Sequence, residues 1–331
     1  MKGKLGLKEL EALLARATGA DRGEVVLHPG TGEDSAALDL GGDLTVLTVD
    51  PITGADQHAG GLAVHVCCND LAATGAEPVG VLLTLLLPET GSAQLANDMM
   101  RSAHHVATQL NVAIVGGHTE FTPGLHQPII CATGVGRARR DELKPSASVS
   151  EGDDLVLVGE AGLEGIAILA HDYEGVLEHY LSEEELREAK SYAERISIVA
   201  AARLASRLGA SALHDVTEGG ILGAVYEMTE AAQRGVIIQA RRIPVSQVTQ
   251  KICHCLDINP LLLIASGCLL VATECGLSLA SQMKEEGHVA NVIGRFGGCR
   301  RITEEYGELL PPEADHLWHA KEKLDRMLSG P

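Results

Sequence analysis

The chain has 331 residues, 45% hydrophobic but only 2% aromatic, with 45 acidic against 26 basic side chains and a formal charge of −19. That length suits two domains, each burying an aliphatic, Ala/Gly-rich core. The acidic balance, with basic residues no more clustered than the Arg139-Arg140 and Arg241-Arg242 pairs, argues against a nucleic-acid partner or an anionic membrane surface.

In chain order, Leu7, Leu10, Leu14 and Ala17 fall on one face of an expected opening helix that Gly19 can end. Lys2 and Lys4 are not followed by an apolar leader, and no apolar stretch reaches spanning length. Strand-like runs follow at 44–49, 79–87, 112–115 and 129–135. Between them a helix capped by Ser92 aligns Leu95, Met99, Ala103, Val106 and Leu110 on one stripe. Around 143–152 the texture turns polar and small, which places a domain boundary there, with one domain over 1–145 and a second over 152–331. The second opens on a strand at 155–158 and continues through helical patterns at 182–208, 220–234 and 315–328. This alternation predicts an α/β or α+β protein. The eight cysteines lie mostly in apolar runs such as Val66-Cys67-Cys68, as expected of thiols in a reducing, cytoplasmic setting.

Chemistry-bearing residues gather where strands or loops meet helices. Gly30-Thr31-Gly32-Glu33-Asp34 joins a tight turn to a carboxylate. Such a turn exposes backbone N–H groups to phosphate, and the carboxylate suits a hard divalent cation; an ordinary acidic turn would read the same way. Asp50 ends an apolar strand, where a ligand, a helix cap or a turn can each account for it. Asn69 and Asp70 interrupt an otherwise buried-looking helix and must be paired or liganded there. Val115-Gly116-Gly117-His118-Thr119-Glu120 is a strand followed by a double glycine, where backbone can approach a phosphate closely. The pair His104 and His105, the Cys253-His254-Cys255 string and the pair His316 and His319 read as surface or buried residues, because no second ligand pair lies at metal-site spacing.

Taken together, Gly30-Thr31-Gly32-Glu33-Asp34-Ser35-Ala36, Thr48-Val49-Asp50, Asn69 through Pro78, and Gly116-Gly117-His118-Thr119 resemble, in order and spacing, the aminoimidazole-ribonucleotide synthetase (PurM-like) superfamily. His214-Asp215-Val216-Thr217-Glu218-Gly219-Gly220 and Asn259-Pro260-Leu261 are similar to its hydrogenase-maturation branch. The resemblance implies a two-domain fold whose N-terminal mixed sheet closes a barrel across a homodimer, with ATP in a neighbouring cleft. It implies magnesium on Asp34, Asp50 and Asp70, and nucleotide contacts from Gly30, Gly32, Asn69, Gly116, Gly117 and Thr119. His118, Glu120 and Asp215 are the candidates for catalysis. The implied reaction is ATP-dependent phosphorylation or dehydration of a small molecule or a protein terminus.

The chain also departs from that pattern. His118 stands where relatives carry an acid, with Glu120 two residues on. Gly162-Leu163-Glu164-Gly165 replaces a Gly-Asp-His-Gly turn, and Ser266 replaces an acidic residue. The maturation branch ends in a reactive cysteine, whereas the last thiol here is Cys299. A second class of function therefore stands beside the enzyme: a nucleotide-binding assembly or maturation factor without catalysis.

Overall fold

The computed structural model describes residues 12, 20, 22–53 and 59–329; the expected opening helix at Leu7 to Ala17 lies outside the described residues. The chain divides into two compact units. One holds Ala20–Pro29 and Asp34–Leu143, and the other holds Gly30–Glu33 together with the chain from Lys144 onward.

The N-terminal unit is built on a six-stranded mixed sheet. Its strands are β1 (Val25–Leu27), β2 (Ala36–Leu38), β3 (Leu44–Thr53), β4 (Glu77–Pro88), β5 (Ala113–Thr122) and β6 (Ile129–Ala138), in the order β1-β2-β3-β6-β4-β5. All pairs are antiparallel except β4 with β5. A parallel pair needs a crossover, and α2 (Ala93–Gln109) supplies it; α1 (Ala59–Ala73) connects β3 to β4. Ser92 caps α2 by accepting the Leu95 N–H at 3.2 Å, and Met99, Ala103 and Val106 form its buried stripe. Helix α1 is buried nearly all round, as expected of a helix apolar on every side. A Cβ at Gly60 would stand 1.9 Å from the carbonyl oxygen of Met99, so glycine there is what lets the two helices touch.

Two strands run further than the sequence pattern. β3 continues through Asp50 and Pro51 to Thr53, because β6 pairs with it throughout while β2 stops opposite Leu47; beyond that point the outer edge is open and the missing N–H of proline costs no ladder bond. β5 passes straight through Gly116 and Gly117, which pair with Leu82 and Leu83. The double glycine is therefore strand, not turn. A Cβ at Gly117, where φ is +151°, would lie 1.9 Å from the Leu83 oxygen.

The C-terminal unit carries a seven-stranded sheet in the order β13-β12-β9-β11-β7-β10-β8. Its strands are β7 (Asp154–Val158), β8 (Ala212–Asp215), β9 (Val236–Ile238), β10 (Leu269–Thr273), β11 (Ala290–Phe296), β12 (Arg301–Thr303) and β13 (Gly307–Glu308). The helices are α3 (Leu163–Asp172), α4 (Glu174–Leu177), α5 (Glu183–Ser191), α6 (Val199–Arg207), α7 (Gly220–Ala232), α8 (Gln247–Cys255), α9 (Gly276–Glu285) and α10 (His316–Ser329). Its core is aliphatic, from Leu155 and Leu157 on β7 through Ile166 and Leu169 on α3 to Ile221, Val225 and Met228 on α7. The acidic stretch expected as one helix over 182–208 is broken: α5 opens on a Ser182–Glu185 capping box, tightens into a 3-10 turn at Tyr192–Arg195, and α6 begins afresh. No helix among the described residues is long and apolar enough to cross a membrane.

Candidate functional site

In the N-terminal unit the site assembles around the last turn of α1. Asp70 is buried, and its Oδ2 accepts a 2.6 Å hydrogen bond from the Thr48 hydroxyl on β3. Its carbonyl accepts from the Ser35 hydroxyl at 3.2 Å and the Thr74 hydroxyl at 3.0 Å. Ser35 thus ties the segment that starts at Asp34 to α1. Asp50 follows Thr48 by two residues, so both project from the same, helix-covered face of β3. Burial, and then the negative charges of Asp70 and Asp50, drive the Cys67 thiol far above its ordinary range; both carboxylates therefore act on one thiol of α1. Asn69, beside Asp70, is also buried.

Asp70, Asp50 and the segment that starts at Asp34 thus each bear on the C-terminal half of α1, but among the described residues no three Asp, Glu, His or Cys side chains form a group able to cage a metal. The donor set is nonetheless carboxylate oxygen. That set fits magnesium, which keeps several waters and is held through one or two carboxylates together with substrate phosphates.

The other half of the expected site lies across the sheet. Asp50 is level with Ala132, Ala132 with Leu83, and Leu83 with Gly117, so three strand spacings of about 4.8 Å, roughly 14 Å in all, separate Asp50 from Gly117. Beyond Gly117, strand alternation puts Thr119 on the face shared by Asp50, and His118 and Glu120 on the opposite face. His118 Nε2 lies 3.1 Å from Glu120 Oε2, and Glu120 Oε1 accepts from the Thr122 hydroxyl at 2.8 Å. Thr122 first, and His118 second, hold the Glu120 carboxyl below its usual range. His118 and Glu120 form a solvent-facing pair on the edge strand.

Gly30 and Gly32 belong to the C-terminal unit. Glu33 accepts the backbone N–H groups of Ser146 at 3.2 Å and Ala147 at 2.9 Å, and a Cβ on Gly32 (φ +78°) would stand 2.3 Å from the Glu227 oxygen. Close packing against α7 requires glycine at position 32. Asp215 is buried at the end of β8, ahead of the Gly219-Gly220 turn that opens α7.

Sequence reasoning passed over a set of buried acids in this unit. Glu164, in the first turn of α3, is 5% exposed. Burial pushes its carboxyl up to about 7 against the pull of Ser266 hydrogen bonds. Asp315 is pushed up to about 6, chiefly by burial, although it accepts the N–H groups of Leu317 and Gly219, each at 2.7 Å. The local signal for Asp315 is an Asp just before an apolar helical stripe. For Glu164 the sequence offers only the altered Gly162-to-Gly165 turn, because its burial is a tertiary fact.

Comparison with known proteins agrees with this architecture. Residues 32–138 match the family model of the AIR synthase related protein N-terminal domain, and residues 150–307 match that of its C-terminal domain. A putative hydrogenase expression/formation protein of Methanocaldococcus jannaschii is 30% identical over 247 residues, 73% of this chain and 71% of that protein. The carbamoyl dehydratase HypE of Cupriavidus necator is 26% identical over 309 residues, 86% of each chain. A crystal structure of the hydrogenase maturation protein HypE in complex with ATP superposes with a TM-score of 0.66 at 22% identity, over 86% of this chain and 89% of that one. With both domain models matched in order over two α/β units, the chain belongs to the AIR synthase related protein family.

Proposed function

We propose that this chain is a magnesium-dependent ATP-binding protein that phosphorylates or dehydrates a small-molecule or protein substrate, working as a cytoplasmic homodimer. The observation that carries this reading is the grouping of Asp50 and Asp70 about one end of α1, with the neighbour of Asp34 strapped to the same turn. Carboxylate oxygens are the donors that magnesium on nucleotide phosphates takes from a protein. Magnesium, when bound, neutralises phosphate charge; Asp34, Asp50 and Asp70 would hold it. The chain's own groups orient the rest: Thr48 fixes the Asp70 carboxylate, and Thr119, on the Asp50 side of the sheet, is available to a phosphate oxygen. On the opposite face of the sheet, the His118–Glu120 pair can hold a proton at Nε2 of His118. Relatives described as carbamoyl dehydratase and as selenide, water dikinase support this reaction class.

The dimer rests on the sheet. Among the described residues of the N-terminal unit, helices cover one face of its sheet, and on the other Val49 (59% exposed), Thr133 and Leu82 (39% exposed) stand at one level across three strands. The solvent face of a half-covered sheet is normally polar. An apolar one calls for a cover, and a second copy of the same sheet supplies it. The test of the whole reading is calorimetric titration with ATP, with and without magnesium. Tight binding only with the metal supports it, and no binding in either condition refutes it.

A further inference from the structure

One cavity lies apart from the candidate site residues, within the C-terminal unit. It is an open groove of about 530 Å³ between α9, β11 and the 3-10 turn Ala240–Arg242. Its polar wall is built on Asn291. The amide Nδ2 donates to the Arg242 carbonyl at 3.0 Å, while Lys284 Nζ donates to Oδ1 of the same amide at 3.2 Å. Arg242 Nη1 reaches the Val292 carbonyl at 3.5 Å. One neutral side chain thus holds two cationic residues at one cavity.

The two basic side chains at this cavity differ from their near neighbours in their partners. In a chain of net charge −19, the neighbouring Arg241 takes Glu304 at 3.3 Å and Glu305 at 4.0 Å, and Lys251 takes Glu185 at 2.7 Å. Neither Arg242 nor Lys284 has a carboxylate partner among the described residues; their recorded partners are a backbone carbonyl and an amide oxygen. Glu285, on the same helix as Lys284, is engaged by the Ser281 hydroxyl at 3.5 Å. The opposite wall is apolar, formed by Pro244, Ala280 and Leu277. Leu277 is 78% exposed and gives that wall an apolar surface open to solvent.

We propose that this cavity binds a small organic anion: a carboxylate, sulfonate or phosphate held by Arg242 and Lys284, with a compact apolar body laid on Leu277, Ala280 and Pro244. The volume falls within the range of about 300–1,000 Å³ usual for small-ligand sites, which pair an apolar lining with a few placed polar groups. Two cations are too few for a polyanion, which needs an extended basic track. Arg242 brings a planar fork suited to a two-oxygen anion, and Lys284 adds a point charge beside it.

The probe is 8-anilinonaphthalene-1-sulfonate, an aryl sulfonate whose fluorescence rises in apolar surroundings, titrated against the full chain. The expected result is a saturable site that weakens about tenfold in Arg242→Gln and in Lys284→Gln, the loss of one charge-assisted contact each. Leu277→Ser should weaken it as well, and the uncharged analogue N-phenyl-1-naphthylamine should not compete for it. All three changes are at solvent-exposed positions, and circular dichroism checks that each variant is folded. Affinity unchanged in both charge variants, or equal competition by the uncharged analogue, overturns the proposal. Because no substitution touches Asp34, Asp50 or Asp70, magnesium-dependent ATP binding should be the same in every variant, so the two readings fail separately.

Discussion

Thr48 donates its hydroxyl proton to Oδ2 of Asp70 across 2.6 Å, joining β3 to the last turn of α1. A carboxylate held in this way is oriented before any ligand arrives, and Asp50 stands two residues further along the strand that orients it. Asp70→Asn and Asp50→Asn keep the shape and remove one charge each. Each should weaken magnesium–ATP by about tenfold or more while changing metal-free ATP much less. Thr48→Val should produce a smaller loss of the same kind. Calorimetric titration with and without magnesium measures both, and equal losses in the two conditions would assign these aspartates to the fold alone.

The apolar row Val49 and Leu82 predicts a dimer that two charges can break. Sedimentation equilibrium at micromolar concentration should give twice the chain mass for the native protein. It should give the single-chain mass for the double variant Val49→Glu, Leu82→Glu, whose circular dichroism stays native because both side chains face away from the helices. A native protein that sediments as a monomer removes the argument for a covered sheet.

His118 and Glu120 make the third prediction. His118→Asp places a carboxylate beside the Glu120 carboxyl, at a position where the imidazole now lies 3.1 Å away, so the pair changes from complementary to repulsive. For an enzyme that uses the histidine, turnover of ATP should fall severalfold. A rise in magnesium-dependent hydrolysis would instead mean that the histidine replaced a lost metal ligand, and would favour the assembly-factor reading.

The buried acids of the C-terminal unit predict how stability follows pH. Glu164 has its folded value raised from the ordinary 4.5 to about 7, and Asp315 from 3.8 to about 6. A raised carboxyl binds its proton more tightly in the folded state, so stability is greatest below the ordinary value and is lost as pH rises through the folded one. Denaturant midpoints should therefore fall between pH 5 and pH 8. Glu164→Gln should recover on the order of 3 kcal/mol at pH 8 and little at pH 5; a gain of equal size at both pH values would rule out titration of Glu164 as the cause.

Gly117→Ala tests the strand itself. The added methyl would need the space of the Leu83 carbonyl oxygen, 1.9 Å from its carbon. Pairing of β5 with β4 must open, at a cost of about 2 kcal/mol or more. Thermal unfolding reads it, and an unchanged midpoint would mean that the double glycine sits in a looser conformation.

Much of this was legible in the residues. The Ser92 cap and the Met99, Ala103, Val106 stripe fix α2 because capping and a 3.6-residue period are local properties. The ordered strings from Asp34 to Gly117 carry the family, since their spacing is written along the chain. Polar Asn69 and Asp70 in an apolar helix announced a buried polar site, because such groups need partners wherever the helix packs. What those partners are was decided only when β3 laid Thr48 against α1. Strand pairing likewise turned the expected Gly116-Gly117 loop into an extended edge strand and set it roughly 14 Å from Asp50, because register depends on which strands become neighbours. Gly32 reads as a phosphate turn in sequence, and only the tertiary structure adds the Glu227 carbonyl packed against it. Glu164 is marked in sequence by nothing but the altered Gly162-to-Gly165 turn; only the packing around α3 removes it from water and makes its proton count.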